Sequence, residues 1–419
     1  MSEAVFPVKA DKTFQGPVAL LEGNGRSPCH ALMVARAAID PRNEHIPCRV
    51  LNPTQDTITL RKGTCIGTLS PVASIAAAQS TSVEATQTPP VSEMRSTLEN
   101  MGISFDTTSV TGNDLDTLIK LLYDNRDVMA TSIKDLPGCD VMKMHIDTGD
   151  HPPVRSRGFR HSPADRAEIS RQVKEMLDAG VVQESDSPWQ SPVILVRKKD
   201  STQRFVIDYR KLNSITALTS FPLPTITDVF DVVADQKPTL FTSLDLRSGY
   251  WQTALDEQSY DKTAFQTHDG CFEFKRVSFG LCSAVQFFQM VMQKVLKGLT
   301  QDSVLVYLDD ILVLAPDAPT MNHRLEQIFQ RFRDARLRLH PAKCVWATDR
   351  VKFLGHVFDR RGISVDTSKF DLIRNYPVCK TPKQVRSFLG LTGYYRRFVQ
   401  AYSQKSALLR ALLKADTPF

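Results

Sequence analysis

Asp309 and Asp310 stand side by side in a run that is otherwise apolar, with Val304, Leu305 and Val306 before Tyr307-Leu308 and Ile311, Leu312, Val313 and Leu314 after. Such a run, broken only by a polar pair, reads as two buried strands joined by a tight turn. Two carboxylates there are costly unless something neutralises them. A pair of divalent cations would do so, and two-metal sites carry phosphoryl and nucleotidyl transfer. A third carboxylate, Asp245, closes the apolar strand Leu240–Leu244, far enough upstream for a strand and a helix to intervene. Three carboxylates so grouped suit two Mg²⁺ ions about 3.5–4 Å apart, with phosphate oxygens completing each octahedron. Spacing alone also fits a blander reading. Aspartates are common in turns, where they bond their own backbone, and at helix caps.

Positioning these groups takes a sizeable scaffold, and 419 residues are enough for two to four domains. The hydrophobic share of 42% and charged share of 23% are those of a globular chain. A net charge of +6 leans mildly toward an anionic partner. Eight cysteines lie far apart, without zinc-knuckle or redox spacing. With no secretory signal at Met1–Ala10, reduced thiols in an intracellular, cytoplasmic or nuclear protein are expected. No stretch is apolar for long enough to span a bilayer, so no membrane partner is expected.

Residues 1–75 read as a β-rich segment, with short strands at Ile46–Leu51 and Thr57–Leu60 around the Asn52-Pro53 turn. Residues 76–90, rich in Ala, Ser, Thr and Gln and ending in Pro89-Pro90, read as a linker. A helical lead-in over 91–145 includes a helix from Asn113, as cap, to Tyr123. Ser162 and Pro163 open a firmer helix that Gly180 stops. Strands are predicted at Val193–Val196, Phe205–Ile207 and Leu240–Leu244, and helices at Ser283–Leu296, Asn322–Leu339, from Thr381-Pro382, and at Ser406–Lys414. Strands and helices mix without regular alternation, which argues α+β.

The flanks of the acidic residues narrow the choice. Tyr307-Leu308-Asp309-Asp310 resembles the signature turn of reverse transcriptases, and Ser243-Leu244-Asp245-Leu246-Arg247-Ser248-Gly249-Tyr250 resembles the first metal-binding motif of that family. The stretch Ser187-Pro188-Trp189-Gln190-Ser191-Pro192-Val193, then Lys198-Lys199-Asp200, then Arg204 through Asn213, is similar to the fingers of Gypsy-type LTR retrotransposon polyproteins. Phe353-Leu354-Gly355-His356 looks like their primer-grip region, and Phe388–Leu391 with Tyr394–Phe398 like the segment beyond. The matches run from about Ile146 to Lys414 in family order, and several motifs in one order are far more specific than any one alone.

This resemblance implies a right-hand polymerase fold. Fingers and palm would occupy 146–358 (core about 179–358), and thumb or connection helices 359–419. A small β-rich N-terminal domain would precede them. It implies an RNA-directed DNA polymerase that adds deoxynucleotides to a primer on an RNA or DNA template. Asp245, Asp309 and Asp310, with the Leu246 carbonyl, would hold two Mg²⁺, with Mn²⁺ as a substitute. Lys198 and Arg204 would grip the triphosphate. Tyr250 would lie under the sugar and exclude a ribose 2′-hydroxyl, and Phe279-Gly280 would pack the nucleotide. Tyr307, Phe353, Leu354 and Gly355 would meet primer and template.

Arg396 and Arg397 beside Tyr394 and Tyr395 fit either a backbone-tracking patch or an aromatic core contact with solvated arginines. Lys343-Cys344 resembles a family position but is explained equally by a solvated lysine beside a buried thiol. Asp147-Thr148-Gly149 spells the aspartic-protease triplet, yet Asp150-His151-Pro152-Pro153 follows, so it reads as a loop. No protease, ribonuclease H or integrase domain is expected within the chain. Ser278 and Val285 replace prolines of the family pattern, and prolines preset the backbone before a helix. Their loss favours an alternative: a catalytically decayed remnant that binds nucleic acid.

Overall fold

The structure, a computed structural model, describes residues 2–8, 19–23, 33–34, 37–39, 46–52, 58–60, 64–71, 89–197, 202–218, 221–222, 224–300 and 303–414. The chain divides into two compact units, Met1–Thr88 and Pro89–Phe419. Most of the linker expected at 76–90 lies outside the described residues, as do Pro53 and Thr57 of the expected β segment.

Among the described residues, the first unit shows two three-stranded sheets. In one, Ser2–Val8 pairs antiparallel with Ile46–Asn52, which also pairs with Met33–Val34. In the other, Ala19–Gly23 is flanked by Ala37–Ile39 and Gly67–Pro71. Leu21, Cys48 and Val50 form its small core. Ile46–Leu51 is a strand as expected. Residues 58–60 are not, and the final strand comes later, at Gly67–Pro71.

In the second unit, helix α1 (Pro163–Asp178) begins as its sequence dictates. Ser162 accepts a bond from the Asp165 N–H, Asp165 reciprocates, and Pro163 occupies the first turn. Strands β1 (Val182–Glu184), β2 (Ser191–Arg197) and β3 (Gln203–Ile207) follow, then β4 (Leu240–Asp245), β5 (Phe265–Gln266) and β6 (Cys271–Phe274). A five-stranded sheet runs β3-β2-β5-β6-β1 and forms the fingers. Helix α2 (Ala284–Val295) precedes the hairpin of β7 (Val304–Tyr307) and β8 (Asp310–Ala315), and α3 (Ala318–Asp334) follows it.

Strand β9 (Val345–Thr348) completes the palm sheet, in the order β7-β8-β4-β9. One face packs Phe241, Leu312 and Leu314 against Val229, Phe230 and Val233 of the helix Ile226–Gln236. The other sets Leu244, Ile311 and Val313 in a core with Phe288 and Val291 of α2 and Leu325 and Phe329 of α3. Cover on both faces is why residues 304–314 read as a continuous apolar run instead of an alternating one.

Beyond β9, strands β10 (Arg350–Phe353), β11 (His356–Asp359) and β12 (Gly362–Val365) form a meander. Helices α4 (Thr367–Arg374) and α5 (Pro382–Tyr394) follow, α5 capped by Thr381. The arrangement is the α+β right-hand plan expected, with fingers, palm and helical thumb.

Three helix boundaries correct the sequence reading. The helix expected from Asn322 to Leu339 is α3, capped earlier by Asp317 and stopped by Arg336 at φ +57°. The one from Asn113 has Gly112 as its cap, and the last spans Ala407–Ala411 only. Among the described residues, no helix is long and apolar enough to cross a membrane.

Candidate active site

Residue Asp245 ends β4 directly opposite Asp310, the first residue of β8, in antiparallel register. On its other edge, the Asp245 carbonyl accepts from the His340 N–H (2.8 Å) and the Arg247 N–H donates to the Arg338 carbonyl (3.0 Å). Strand alternation then turns the Leu246 carbonyl toward the Asp310 edge. Tyr307 pairs with Asp310, so Leu308-Asp309 is a two-residue turn. Leu308 adopts φ +60°, a left-handed conformation unusual for leucine. All three carboxylates therefore gather at one end of the palm sheet.

Their electrostatics follow from that crowding. Asp310 is exposed on one side, yet partial burial, then the Asp309 charge, then the Asp245 charge, raise its pKa above the usual carboxylate range. Asp245 takes Lys343 as counter-ion, with Nζ 3.3 Å from Oδ1. Like charges otherwise face one another. Among the described residues, no three carboxylate, imidazole or thiol groups stand close enough to form a ready three-ligand cage. The donor set nevertheless fits Mg²⁺: hard oxygens only, in excess negative charge, two of them directly opposite across a strand pair.

A residue not singled out by sequence reasoning holds the turn. Gln289 of α2 is 1% exposed. Its Oε1 accepts from the Leu308 N–H (2.8 Å), and its Nε2 donates to the Val306 carbonyl (3.2 Å). Strand β7 is an edge, so Gln289 satisfies backbone groups that no neighbouring strand reaches. The available signal was a glutamine inside the buried stripe of Phe288, Val291 and Met292. Gln252, fully buried, was also missed. It bonds the Arg247 carbonyl and both the carbonyl and N–H of Arg338, fastening the segment after Asp245. Lys343, assigned no chemistry from sequence, proves to be the cation beside Asp245.

The expected nucleotide pocket is partly assembled. Tyr250 packs edge-on against Phe279, centroids 5.1 Å apart, and against Phe288 at 5.3 Å. Burial, with the Asp309 charge adding, pushes its hydroxyl up to about 12. Gly280 has φ +93°, and a Cβ there would come within 3.2 Å of the Ile207 carbonyl. Asn213 donates to the Gly280 carbonyl and accepts from the Cys282 N–H, bridging fingers to this loop. Ser278 is buried and donates to the Phe279 carbonyl, and α2 forms around Val285, so neither missing proline unmakes the local backbone. Arg204 is exposed on β3, opposite Val196 of β2. Lys198, with Lys199 and Asp200, lies outside the described residues.

Phe353 is buried at the end of β10, and Leu354-Gly355 form the turn into β11. Tyr307 and Leu354 pack on the same palm core. Tyr395 is a core contact, 6% exposed, whereas Tyr394 is 45% exposed. Asp147 accepts from the Gly149 N–H within a loop, as expected for the protease-like triplet.

Residues 196–358 match the family model described as reverse transcriptase (RNA-dependent DNA polymerase). The chain is 35% identical over 283 residues to the retrovirus-related Pol polyprotein from transposon 297 of Drosophila melanogaster, covering 66% of this chain and 26% of that protein. It is 31% identical over 307 residues to that of transposon gypsy from the same organism, covering 72% and 29%. The chain thus spans about a quarter of the length of these curated relatives. Among solved structures, the foamy viral protease-reverse transcriptase in complex with dsDNA superposes with a TM-score of 0.67 at 22% identity, over 78% of this chain and 66% of that one. The same protein in complex with RNA/DNA hybrid gives 0.66 at 22% identity, over 79% and 43%. With the strand register that joins Asp245 to Asp310, these likenesses establish that the chain contains a reverse transcriptase region of the kind found in LTR-retrotransposon Pol polyproteins.

Proposed function

We propose that this chain is an RNA-directed DNA polymerase, extending a primer 3′-hydroxyl with deoxynucleotides on an RNA or DNA template. The carrying observation is the direct pairing of Asp245 with Asp310 beside the Leu308-Asp309 turn. Asp245, Asp309, Asp310 and the Leu246 carbonyl would hold two Mg²⁺ or Mn²⁺ ions. Such ions, when bound, lower the pKa of an attacking hydroxyl and stabilise the leaving pyrophosphate.

The protein's own contribution is position and charge. Sheet register fixes two carboxylates on adjacent strands, and Gln289 fixes the turn that carries the third. Tyr250, wedged between Phe279 and Phe288, gives the sugar pocket a rigid floor that a 2′-hydroxyl would strike. Arg204, with Lys198, supplies cations for the triphosphate. Phe279 and Gly280 close the pocket over the base, and close backbone approach needs the glycine there. Tyr307, Phe353, Leu354 and Gly355 would line the path of the primer end. A location within the cytoplasm or nucleus fits template and nucleotides as partners.

Primer extension on an RNA template with Mg²⁺ tests the reading, with DNA template as comparison. Wild-type chain is expected to incorporate deoxynucleotides and Asp309→Asn to lose at least ~100-fold in rate. Equal rates would refute the ligand assignment. Salt-dependent nucleic-acid binding without incorporation would mark a decayed binding module instead.

A further inference from the structure

The turn Leu354-Gly355 joins β10 to β11 with only two residues, and both are left-handed, at φ +49° and +72°. That combination suits Asn-Gly or Gly-Gly; a leucine in the first position is strained. Strain of this kind persists only where surroundings over-determine it. Here the surroundings are thumb side chains. Tyr394, the last residue of α5, donates its hydroxyl to the Leu354 carbonyl at 2.7 Å. Its neighbour Tyr395 donates to the next carbonyl, Gly355, at 3.5 Å. A Cβ at Gly355 would meet the Tyr395 hydroxyl at an ordinary 3.4 Å, so it is the left-handed φ, not lack of space, that suits glycine there.

The residue after the turn is gripped as well. The His356 ring, 1% exposed, lies stacked between Tyr394 (centroids 5.3 Å) and Phe398 (5.5 Å), with Phe230 and Tyr395 edge-on. Arg397 lies 5.4 Å over the Phe230 ring and 3.6 Å from Asp231, extending the same contact onto the palm helix. Burial lowers the His356 pKa, which favours the neutral ring among these aromatics. Tyr307, at the strand end before Leu308-Asp309, packs on the same palm core as Leu354.

We propose that Tyr394 is a positioning residue that ties the thumb to the Leu354-Gly355 turn and thereby sets where the primer 3′ end lies. The proposal rests on the polymerase reading above. Thumb movement around a duplex is transmitted through Tyr394 to the turn, and from there to the strand end facing Asp309 and Asp310. Nucleotide binding, on the fingers side, is untouched by this link.

The variant Tyr394→Phe tests it, since it removes one hydroxyl from a half-exposed ring and keeps the His356 stack. Steady-state extension should show KM for primer–template raised about fivefold, the loss of one hydrogen bond. Under saturating primer, kcat should also fall, because the primer end is held less exactly, while KM for deoxynucleotide stays within about twofold. Hydrogen exchange of the amides from Leu354 to Val357 should quicken in Tyr394→Phe and remain unchanged in Tyr402→Phe, a thumb tyrosine that bonds the Leu389 carbonyl instead. A wild-type chain without extension would overturn the polymerase reading, while the exchange comparison would still judge the link. Unchanged exchange at the turn, or kcat and primer KM both unaltered, would overturn the link itself.

Discussion

Replacing Gln289 with methionine keeps shape and burial but removes both hydrogen bonds to the Leu308-Asp309 turn and the strand before it. The Leu308 N–H and the Val306 carbonyl then lose their partner, because β7 is an edge strand and the turn closes on itself. Two neutral bonds contribute about 1 kcal/mol each, and stranding the Leu308 N–H adds a desolvation penalty of about 1–2 kcal/mol. The expected loss is roughly 3–4 kcal/mol, a large part of a typical domain's margin. Leu308 at φ +60° is then free to relax, carrying Asp309 with it, and a displacement of about 1 Å costs on the order of 100-fold in rate. Urea denaturation would read the first effect, and single-nucleotide primer extension at saturating primer the second. A Gln289→Met chain within about 0.5 kcal/mol of wild type, with full kcat, would show that the turn holds its own shape and would refute this account.

Folding holds Asp310 where its charge is disfavoured, so its contribution to stability is complete below its unfolded pKa and lost as pH rises through the raised native value. Asp310→Asn should accordingly melt higher than wild type at pH 7, with the gain vanishing toward pH 4 in thermal scans. Added Mg²⁺ should raise the melting temperature of wild type but not of the variant, and a lower melting temperature for Asp310→Asn at pH 7 would contradict the crowding argument. Tyr250→Ala should raise ribonucleotide use relative to deoxynucleotide by roughly tenfold or more in kcat/KM, since a steric exclusion is being removed. An unchanged ratio in competitive extension would place the sugar elsewhere.

Local chemistry made part of this fold legible. Ser162-Pro163 and Thr381-Pro382 announce helix starts because a cap and a first-turn proline act within four residues. The extent of α3 was not legible in the same way. Its apolar stripe continues in the sequence to Leu337 and Leu339, which are buried outside the helix, and Arg336 takes a left-handed turn without a glycine to mark it. Of the site, Asp245, Asp309 and Asp310 were readable through motif order, but their meeting depends on strand register, and register depends on what covers each face of the sheet. Gln289, Gln252 and Lys343 act across long sequence distances, where no spacing rule reaches.

The two turns that face the proposed chemistry share one construction. Each is a two-residue hairpin loop whose first residue is a leucine in left-handed geometry, Leu308 in one and Leu354 in the other. Neither leucine would choose that conformation by itself, at a cost of about 1–2 kcal/mol each. Each is held by a polar side chain from a helix, Gln289 of α2 for the first and Tyr394 of α5 for the second. Glycine in their place would lower the strain but widen the conformations open to the turn. A leucine held from outside keeps a single shape and makes the turn answer to the helix that grips it, and Leu354 also packs its side chain on the palm core. Palm helix and thumb helix thus each control one of the two loops between which a primer end and a nucleotide would meet.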